Sequence, residues 1–409
     1  MKKILIIGKG GRENALAKAF SKSCKVFVAP GNSGMKNIAS LVNIEENDFE
    51  SLIKFAKEEK IDLTFVGPEG PLSNGIVDEF TKNNLLIFGP NKNAAKIESS
   101  KDFAKKLMKK YNIPTANYET FTNLEEALHY IKNKKAPYVL KADGLVAGKG
   151  VIIAKDLNEA ENALKDMLEG NKFGDAGSKV IIEDFLEGFE FSFMALVNGE
   201  KVYPLELARD YKKALSGDLG ENTGGMGAYS PVPQITSDCI NISIKEILQK
   251  TANAMVMEGA PFVGVLYAGL INTNEGPKVI EFNARFGDPE TEVLMPRLSS
   301  DIYEFTMAVL NKEEFVPKWE DNFCIGVVLA SKGYPNSYET GFDITIGNED
   351  SVYYCGVSGD YPLKTDGGRV LVVTSKGSSL IEARESVYKK IKNINFKNMY
   401  FREDIGYFK

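Results

Sequence analysis

Five stretches concentrate side chains that could do chemistry. In VLKADGLVAGKGV, residues 139–151, Lys141 ends an apolar run, and Gly144, Gly148 and Gly150 surround Lys149. Glycines let backbone N–H groups close on phosphate oxygens, and the two lysines add point charges. The Walker A spacing G-x-x-x-x-G-K-[ST] is not met. In KVIEFNARFGDPET, residues 278–291, strand alternation puts Val279, Glu281 and Asn283 on one face. A carboxylate beside an amide oxygen suits Mg²⁺, which takes few protein ligands and completes its shell with phosphate and water. Arg285, two residues on, could brace a transferring phosphoryl group. In VIIEDFLEGFEFS, residues 180–192, Glu183, Phe185, Leu186 and Glu190 form a hinge. Its backbone could read an adenine edge while a carboxylate accepts from ribose hydroxyls. In ARDYKKALSGDLGENTGGMGAYSP, residues 208–231, Asp210, Asn222 and Thr223 lie among Gly224, Gly225, Met226 and Gly227. Such a loop can approach a small ligand closely, and an aspartate can hold an ammonium group by charge-assisted hydrogen bonds.

The fifth stretch is MKKILIIGKGGREN, residues 1–14. Gly8 and Gly10 fit the start of a dinucleotide fingerprint, but Glu13 stands where its last glycine belongs. An acidic residue about 20 positions on is also missing. The turn suits a phosphorylated ligand on a helix start better than it suits NAD.

The single histidine, His129, sits in NLEEALHYIKN, which reads as an amphipathic helix with His129 off its apolar side. One histidine excludes multi-His metal sites, and its place on a surface helix gives a His-based triad no support. Chemistry must therefore run on carboxylates, lysines, arginines, backbone amides or a hard metal.

The elements that must position these groups fall into three blocks. Residues 1–98 alternate strand and helix, and each strand ends in a glycine or proline turn: GKGG, APGNSG, GPEGPL and GPN. That pattern predicts a doubly wound parallel sheet whose carboxyl edge binds ligand. Residues 99–120 carry a lysine-rich helix, and 121–186 read as a compact α+β unit. Residues 187–320 bring two strands, a polar glycine-rich loop, a long helix over 243–259 and two more strands. Residues 321–409 form another α+β unit.

Length, at 409 residues, supports two to four domains at ~150 residues each. The net charge of −6 gives nucleic-acid binding no electrostatic support. Cys24, Cys239, Cys324 and Cys355 match neither a zinc spacing nor a disulfide framework, which fits a reducing cytoplasm. No apolar run approaches the ~18 residues of a membrane span, and the opening apolar run is too short for a signal peptide.

Taken together, Ser100-Lys101, KADGLVAGKGV, GVLYAGL, NTGGMGAYSP and EFNARFGDPET resemble the glycinamide ribonucleotide synthetase family of ATP-grasp ligases. The likeness runs from GKGGREN to DIGYF. It implies a Rossmann-like pre-ATP-grasp domain over 1–98, an ATP-grasp core over 99–120 and 187–320 with its lid over 121–186, and a C-terminal domain over 321–409. The implied reaction joins glycine to 5-phospho-β-D-ribosylamine with ATP, through glycyl phosphate. Mg²⁺ or Mn²⁺ would serve at Glu281 and Asn283. Lys101, Lys141, Gly148, Lys149 and Gly150 would hold the ATP phosphates, and Glu183, Phe185, Leu186 and Glu190 its adenosine. Lys141, Asp210 and Arg285 would be catalytic. Gly10, Gly11, Arg12, Glu13, Asn14, Gly31, Asn32, Pro68 and Glu69 would receive phosphoribosylamine. Asp210, Asn222 to Met226, Arg285, Gly287 and Asp288 would complete the substrate site. The family usually has His at Asn14, Asp at Ser216 and Pro at Glu221. A cytoplasmic, monofunctional monomer is expected, without nucleic-acid or membrane partners. The alternatives are another ATP-grasp ligase, such as one that carboxylates its substrate, and a nucleotide-binding regulator without catalysis.

Overall fold

The computed structural model describes residues 1–144, 150–170, 178–347 and 349–407. Its first block is a five-stranded parallel sheet in the order Ser40–Leu41, Cys24–Pro30, Lys2–Gly8, Leu63–Val66, Ile87–Phe88. The chain starts in the middle and winds outward both ways. Ile4 to Ile7 are wholly buried, as a parallel strand covered on both faces requires. The helix expected after GPEG is two helices, Glu69–Asn74 and Ile76–Lys82. Gly75, at φ +95°, breaks it in a conformation that glycine adopts without strain.

The second block holds two antiparallel sheets. One runs Tyr118–Phe121, Val180–Asp184, Tyr138–Ala142, Val151–Ala154. Helices Leu124–Ile131 and Leu157–Leu168 pack on it around a core of its own. His129 is exposed on the first of these helices, as expected. The other sheet runs Lys201–Pro204, Phe189–Asn198, Val263–Thr273, Gly276–Asn283.

In its last strand the expected shared face of Val279, Glu281 and Asn283 does not form. Gly269 pairs with Glu281 and Leu270 with Val279, so Ile280 is an extra, bulged residue. The bulge inverts the alternation. Val279 and Phe282 enter the core, while Glu281 and Asn283 share the other face.

The third block is an antiparallel sheet that includes Phe323–Ser331, Arg369–Gly377 and Val352–Tyr354, with helix Leu380–Ile391 against it. The loop expected at 208–231 is built instead of short strands. Arg209–Asp210 and Gly227–Ser230 add to this sheet through the Phe323–Ser331 strand. Lys213–Leu215 and Leu219–Asn222 form a hairpin between them. The stretch 209–230 therefore ties the middle of the chain to the third block. No helix among the described residues is long and apolar enough to cross a membrane.

Candidate active site

Lys141 stands at the end of the Tyr138–Ala142 strand. Its Nζ donates to the Ile280 carbonyl at 2.9 Å, the bulge residue, and pairs with Glu183 Oε1 at 2.9 Å. Lys105 Nζ holds the other oxygen, Oε2, at 2.8 Å. All three side chains are almost completely buried. Burial pushes against the charge of Glu183, but Lys141 and Lys105 outweigh it and hold the carboxyl below its usual range. Burial lowers the Lys105 ammonium to about 8. Glu183 is thus taken up between two lysines. Lys105 was not singled out from the sequence, although it lies one helical turn after Lys101 and so shares its face.

Lys101 begins the Lys101–Lys110 helix, whose N-terminus Ser100 caps. Its Nζ donates to Gly144 O at 3.0 Å, and burial lowers its affinity for the proton. The base of the glycine-rich loop is closed by Ala142 N donating to Gly150 O at 2.9 Å. Gly148 and Lys149 lie outside the described residues. Beyond Glu183 the hinge continues with Phe185 and Glu190 exposed and Leu186 half-buried. Phe185 lines a cleft of about 320 Å³ with Lys134, Tyr138 and Asp184.

Glu281 faces three lysines. Burial would raise its carboxyl, but Lys212, Lys141 and Lys101 outweigh this and hold it at about 2. Lys212 Nζ is 3.4 Å from Glu281 Oε1. Lys212 itself is raised: burial opposes its charge, and Asp210 and Glu281 more than offset that. Asp210 is raised to about 7, chiefly by burial and against the pull of Lys212, with Glu290, Glu190 and Glu281 adding to the rise. Lys212 is a second residue the sequence reading passed over. Its signal was its place two residues after Asp210 in the same loop.

Arg285 bridges blocks. Its Nε reaches Glu69 Oε2 at 3.1 Å and its Nη2 reaches Glu98 Oε1 at 2.9 Å. Glu98 also accepts from Ala284 N at 2.7 Å. Burial lifts the Glu98 carboxyl to about 7 despite Arg285, whereas at Glu69 burial is outweighed by Arg285 and Arg12 and the carboxyl sits at about 2.

The opening turn is closed on itself. Glu13 accepts from Gly10 N at 2.6 Å and from the Arg12 guanidinium. Arg12 Nη1 donates to Phe286 O at 3.2 Å and its backbone N–H to Asp288 Oδ2 at 3.2 Å. Asn14 Oδ1 accepts from Tyr354 N at 3.2 Å. Asn32 Nδ2 donates to Lys9 O at 2.6 Å and to Tyr354 O at 3.0 Å. Gly31, at φ +69°, sets the chain direction just before it, and Pro68 is the N-cap of Glu69–Asn74.

In the NTGG turn, Thr223 Oγ1 donates to Lys212 O at 2.9 Å and accepts from Gly225 N at 3.0 Å. Arg369 Nη1 donates to Gly224 O and Asp288 O, both at 2.8 Å, and pairs with Asp288 Oδ1 at 2.9 Å. Gly225 is at φ +116°, and a Cβ there would meet Pro289 Cδ at 2.5 Å. A Cβ on Gly287 would press on the Glu290 carboxylate. Met226 is wholly buried, with its N–H bonded to Tyr211 O and its carbonyl to Val328 N, so the fold takes up all its polar groups. Asn222 is half-buried at the end of the hairpin. Glu221 accepts from Asn336 Nδ2 at 2.6 Å. Arg369 and Glu98 complete the groups that the sequence reading missed.

One line of interacting charge thus runs from Lys101 and Lys141 through Glu281, Lys212 and Asp210, and by way of Glu290 to Arg285, Glu69 and Arg12. Residues 2–98, 99–291 and 324–408 match the N domain, the ATP-grasp (A) domain and the C domain of phosphoribosylglycinamide synthetase. The chain belongs to the phosphoribosylglycinamide synthetase family. A phosphoribosylamine–glycine ligase of Halalkalibacterium halodurans is 50% identical over 98% of this chain and 96% of its own. The crystal structure of the Thermotoga maritima phosphoribosylamine–glycine ligase superposes with a TM-score of 0.89 at 36% identity, covering 98% of this chain and all of its own. A biotin carboxylase of Campylobacter jejuni, at 17% identity and a TM-score of 0.76 over 99% of this chain and 94% of its own, shares the fold. This member of the phosphoribosylglycinamide synthetase family is a ligase of purine biosynthesis that joins glycine to phosphoribosylamine at the expense of ATP. ATP-grasp ligases use ATP with a divalent metal.

Proposed function

We propose that the reaction runs along the line of charge just described, with ATP at the Lys101–Lys141 end and phosphoribosylamine at the Arg12–Glu69 end. The observation that carries this is the setting of Glu281: an ionised carboxylate among three lysines, on one strand face with Asn283. The donor set fits a hard divalent cation, Mg²⁺ or Mn²⁺, held by Glu281 and Asn283. When bound, that ion would neutralise phosphate charge. Lys101 and Lys141 hold the phosphates, with Gly148, Lys149 and Gly150 as further phosphate contacts. The hinge from Glu183 to Glu190 holds the adenosine; Phe185, Leu186 and Glu190 offer the contacts, while Glu183 fixes Lys141.

Glycine lies on the Asp210–Lys212–NTGG side. Asp210 accepts from its ammonium, and Lys212 faces its carboxylate. That carboxylate attacks the γ-phosphorus of ATP and the bond to the β–γ bridging oxygen breaks, giving ADP and glycyl phosphate. The amine of phosphoribosylamine then attacks the acyl carbon, loses a proton and expels phosphate. Arg285 steadies the transferring group. Positioning and charge neutralisation supply most of the rate, which suits a chain with a single histidine. Gly10 to Asn14, Gly31, Asn32, Pro68, Glu69, Gly287 and Asp288 shape the phosphoribosylamine end.

By this reading residues 1–98 serve the ribosylamine and 121–186 the lid, 99–120 with 187–320 the core, and 321–409 the support of the glycine loop. The four free cysteines and the biosynthetic role support a cytoplasmic enzyme, and a monomer is the acting unit proposed. The test is ADP release with ATP, glycine and freshly made phosphoribosylamine, each omitted in turn. Release that needs bicarbonate in place of glycine would replace this reading with a carboxylating one.

A further inference from the structure

The hairpin Lys213–Leu215 and Leu219–Asn222 has little core beneath it. Leu215 and Leu219 are 52% and 63% exposed, and strands of three and four residues are marginal as an isolated pair. Yet its two ends carry Lys212 and Thr223, the groups that face glycine in the reading above.

What fastens the hairpin comes from the segment 402–406. Arg402 is 1% exposed. Its Nε and Nη2 grip Asp404 at 2.8 and 2.7 Å, Nη2 reaches Asp218 at 2.9 Å, and Nη1 donates to Lys213 O at 3.0 Å. Asp404 Oδ2 accepts from Gly217 N at 2.8 Å, and Glu403 N donates to Ser216 Oγ at 3.2 Å. Gly406 N donates to Tyr211 OH at 3.0 Å. The far side of the segment is anchored: Tyr388 OH donates to Arg402 O at 2.7 Å.

A guanidinium is expensive to bury. Two of this one's four bonds reach the otherwise exposed hairpin, at Asp218 and Lys213, and the other two hold Asp404, which itself accepts from Gly217 N; such a fork fixes direction as well as distance. The hairpin in turn sets Lys212, because Thr223 N and Oγ1 both bind Lys212 O, at 2.7 and 2.9 Å. We infer that Arg402 and Asp404 form a latch that positions Lys212 and the NTGG turn for glycine, so that they are positioning residues for the ligation although they touch no substrate. Ser216, one of the three departures from the family pattern, belongs to this latch. The inference rests on glycine binding beside Lys212.

The experiment measures KM for glycine and for ATP, kcat, and the thermal midpoint, for Arg402→Lys, Asp404→Asn, Asp218→Asn and Lys212→Met in the full chain. Lysine keeps the charge but loses the fork. Asparagine at 404 keeps the shape, and Asp218 is exposed enough for its variant to fold. The latch requires the glycine KM to rise about tenfold in Asp404→Asn and Arg402→Lys, and by less in Asp218→Asn. The ATP KM should stay within about twofold of wild type. If Arg402→Lys does not fold, the Asp404 and Asp218 variants decide. A rise with Lys212→Met, together with wild-type glycine KM in the folded latch variants, overturns the latch alone. An equal rise in both KM values also overturns it, since a merely structural prop would do that. Unchanged glycine KM in Lys212→Met removes the glycine reading on which the latch rests.

Discussion

Two glycine-and-charge regions of the chain look alike in sequence and are built oppositely. Around Glu281, Lys141 is paired with Glu183 and Lys212 faces Asp210 as well, but Glu281 and Lys212 each keep 31% of their side chains exposed. Paired charge is left open to a ligand there. In the opening turn Glu13 is 2% exposed, Asn14 fully buried and Asn32 nearly so, and their hydrogen bonds run to the turn itself and to residues 354–355, with Asn14 Nδ2 alone among them left without a partner. The first region is organised to receive a ligand's charge. The second is organised to hold a shape, and offers a ligand the backbone and rim that shape presents. Glycine-rich turns beside charged residues announce both architectures, and only the exposure of the charges separates them.

The comparison breaks most easily at Glu281. Glu281→Gln removes the one carboxylate among three lysines, and ADP formation should fall on the order of 10²–10³-fold, as for loss of a principal electrostatic group. The fold should survive, because the side chain is partly exposed and its loss leaves no buried charge unpaired. Steady-state ADP release and a thermal melt check this together; unchanged turnover at millimolar Mg²⁺ would take Glu281 out of the metal site.

Glu183 should behave in the reverse way. It is buried between Lys105 and Lys141, so Glu183→Gln strands two buried cations. Breaking such an arrangement costs about 3–5 kcal/mol. A large drop in thermal midpoint is expected, with weaker ATP binding because Lys141 loses one of its two anchors. A variant that melts like wild type would show that the triad is not the dry prop described here.

The third way to sharpen the contrast is pH. Asp210 sits at about 7, raised chiefly by burial. The ionised form is the one that accepts from glycine's ammonium. A raised carboxyl loses that form as pH falls through 7, so kcat/KM for glycine should fall about tenfold per pH unit below it. For ATP the acid limb should lie lower, because Glu281 is held at about 2. Coincident limbs for the two substrates would place the titrating group elsewhere, with Glu98, also near 7, the first to test.

Much of this was legible in the sequence. The strand–turn alternation of residues 1–98 gave the parallel sheet, and Lys141, Glu281 and Arg285 each fall among interacting charges. What stayed hidden depended on distant segments. A bulge such as that at Ile280 changes the face of Val279 without changing composition, so alternation alone misplaced it. Lys105 and Lys212 became notable only when folding brought Glu183 and Glu281 against them. The helix Ile302–Leu310 was passed over because it is buried on nearly every side, so it shows no apolar face against a polar one. The strands at 209–230 were read as loop because Gly227–Ser230 finds one of its partners about 100 residues further on, and the other three are only 2, 3 and 4 residues long.

The smallest expected effect tests the opening turn itself. Gly10 has an ordinary φ of −85°, so substitution there acts through bulk and not through backbone strain. A Cβ would stand 3.1 Å from Glu13 Oε2 and 3.5 Å from Asp288 Oδ2. The branched methyls of Gly10→Val would press on the carboxylate that holds the Gly10 N–H. One weakened hydrogen bond is worth about 1 kcal/mol, so KM for phosphoribosylamine should rise about fivefold. ATP and glycine should keep their KM values, because their proposed groups lie on other segments. Gly11 supplies the control: its Cβ would press on Glu292 and stand 2.7 Å from Cys355 Sγ, so Gly11→Ala should lower the thermal midpoint. If Gly10→Val leaves affinity for a stable ribose-5-phosphate mimic unchanged, the turn is only a fold element. A turn that held shape without touching the ribosylamine would make the two regions differ in purpose as well as in build.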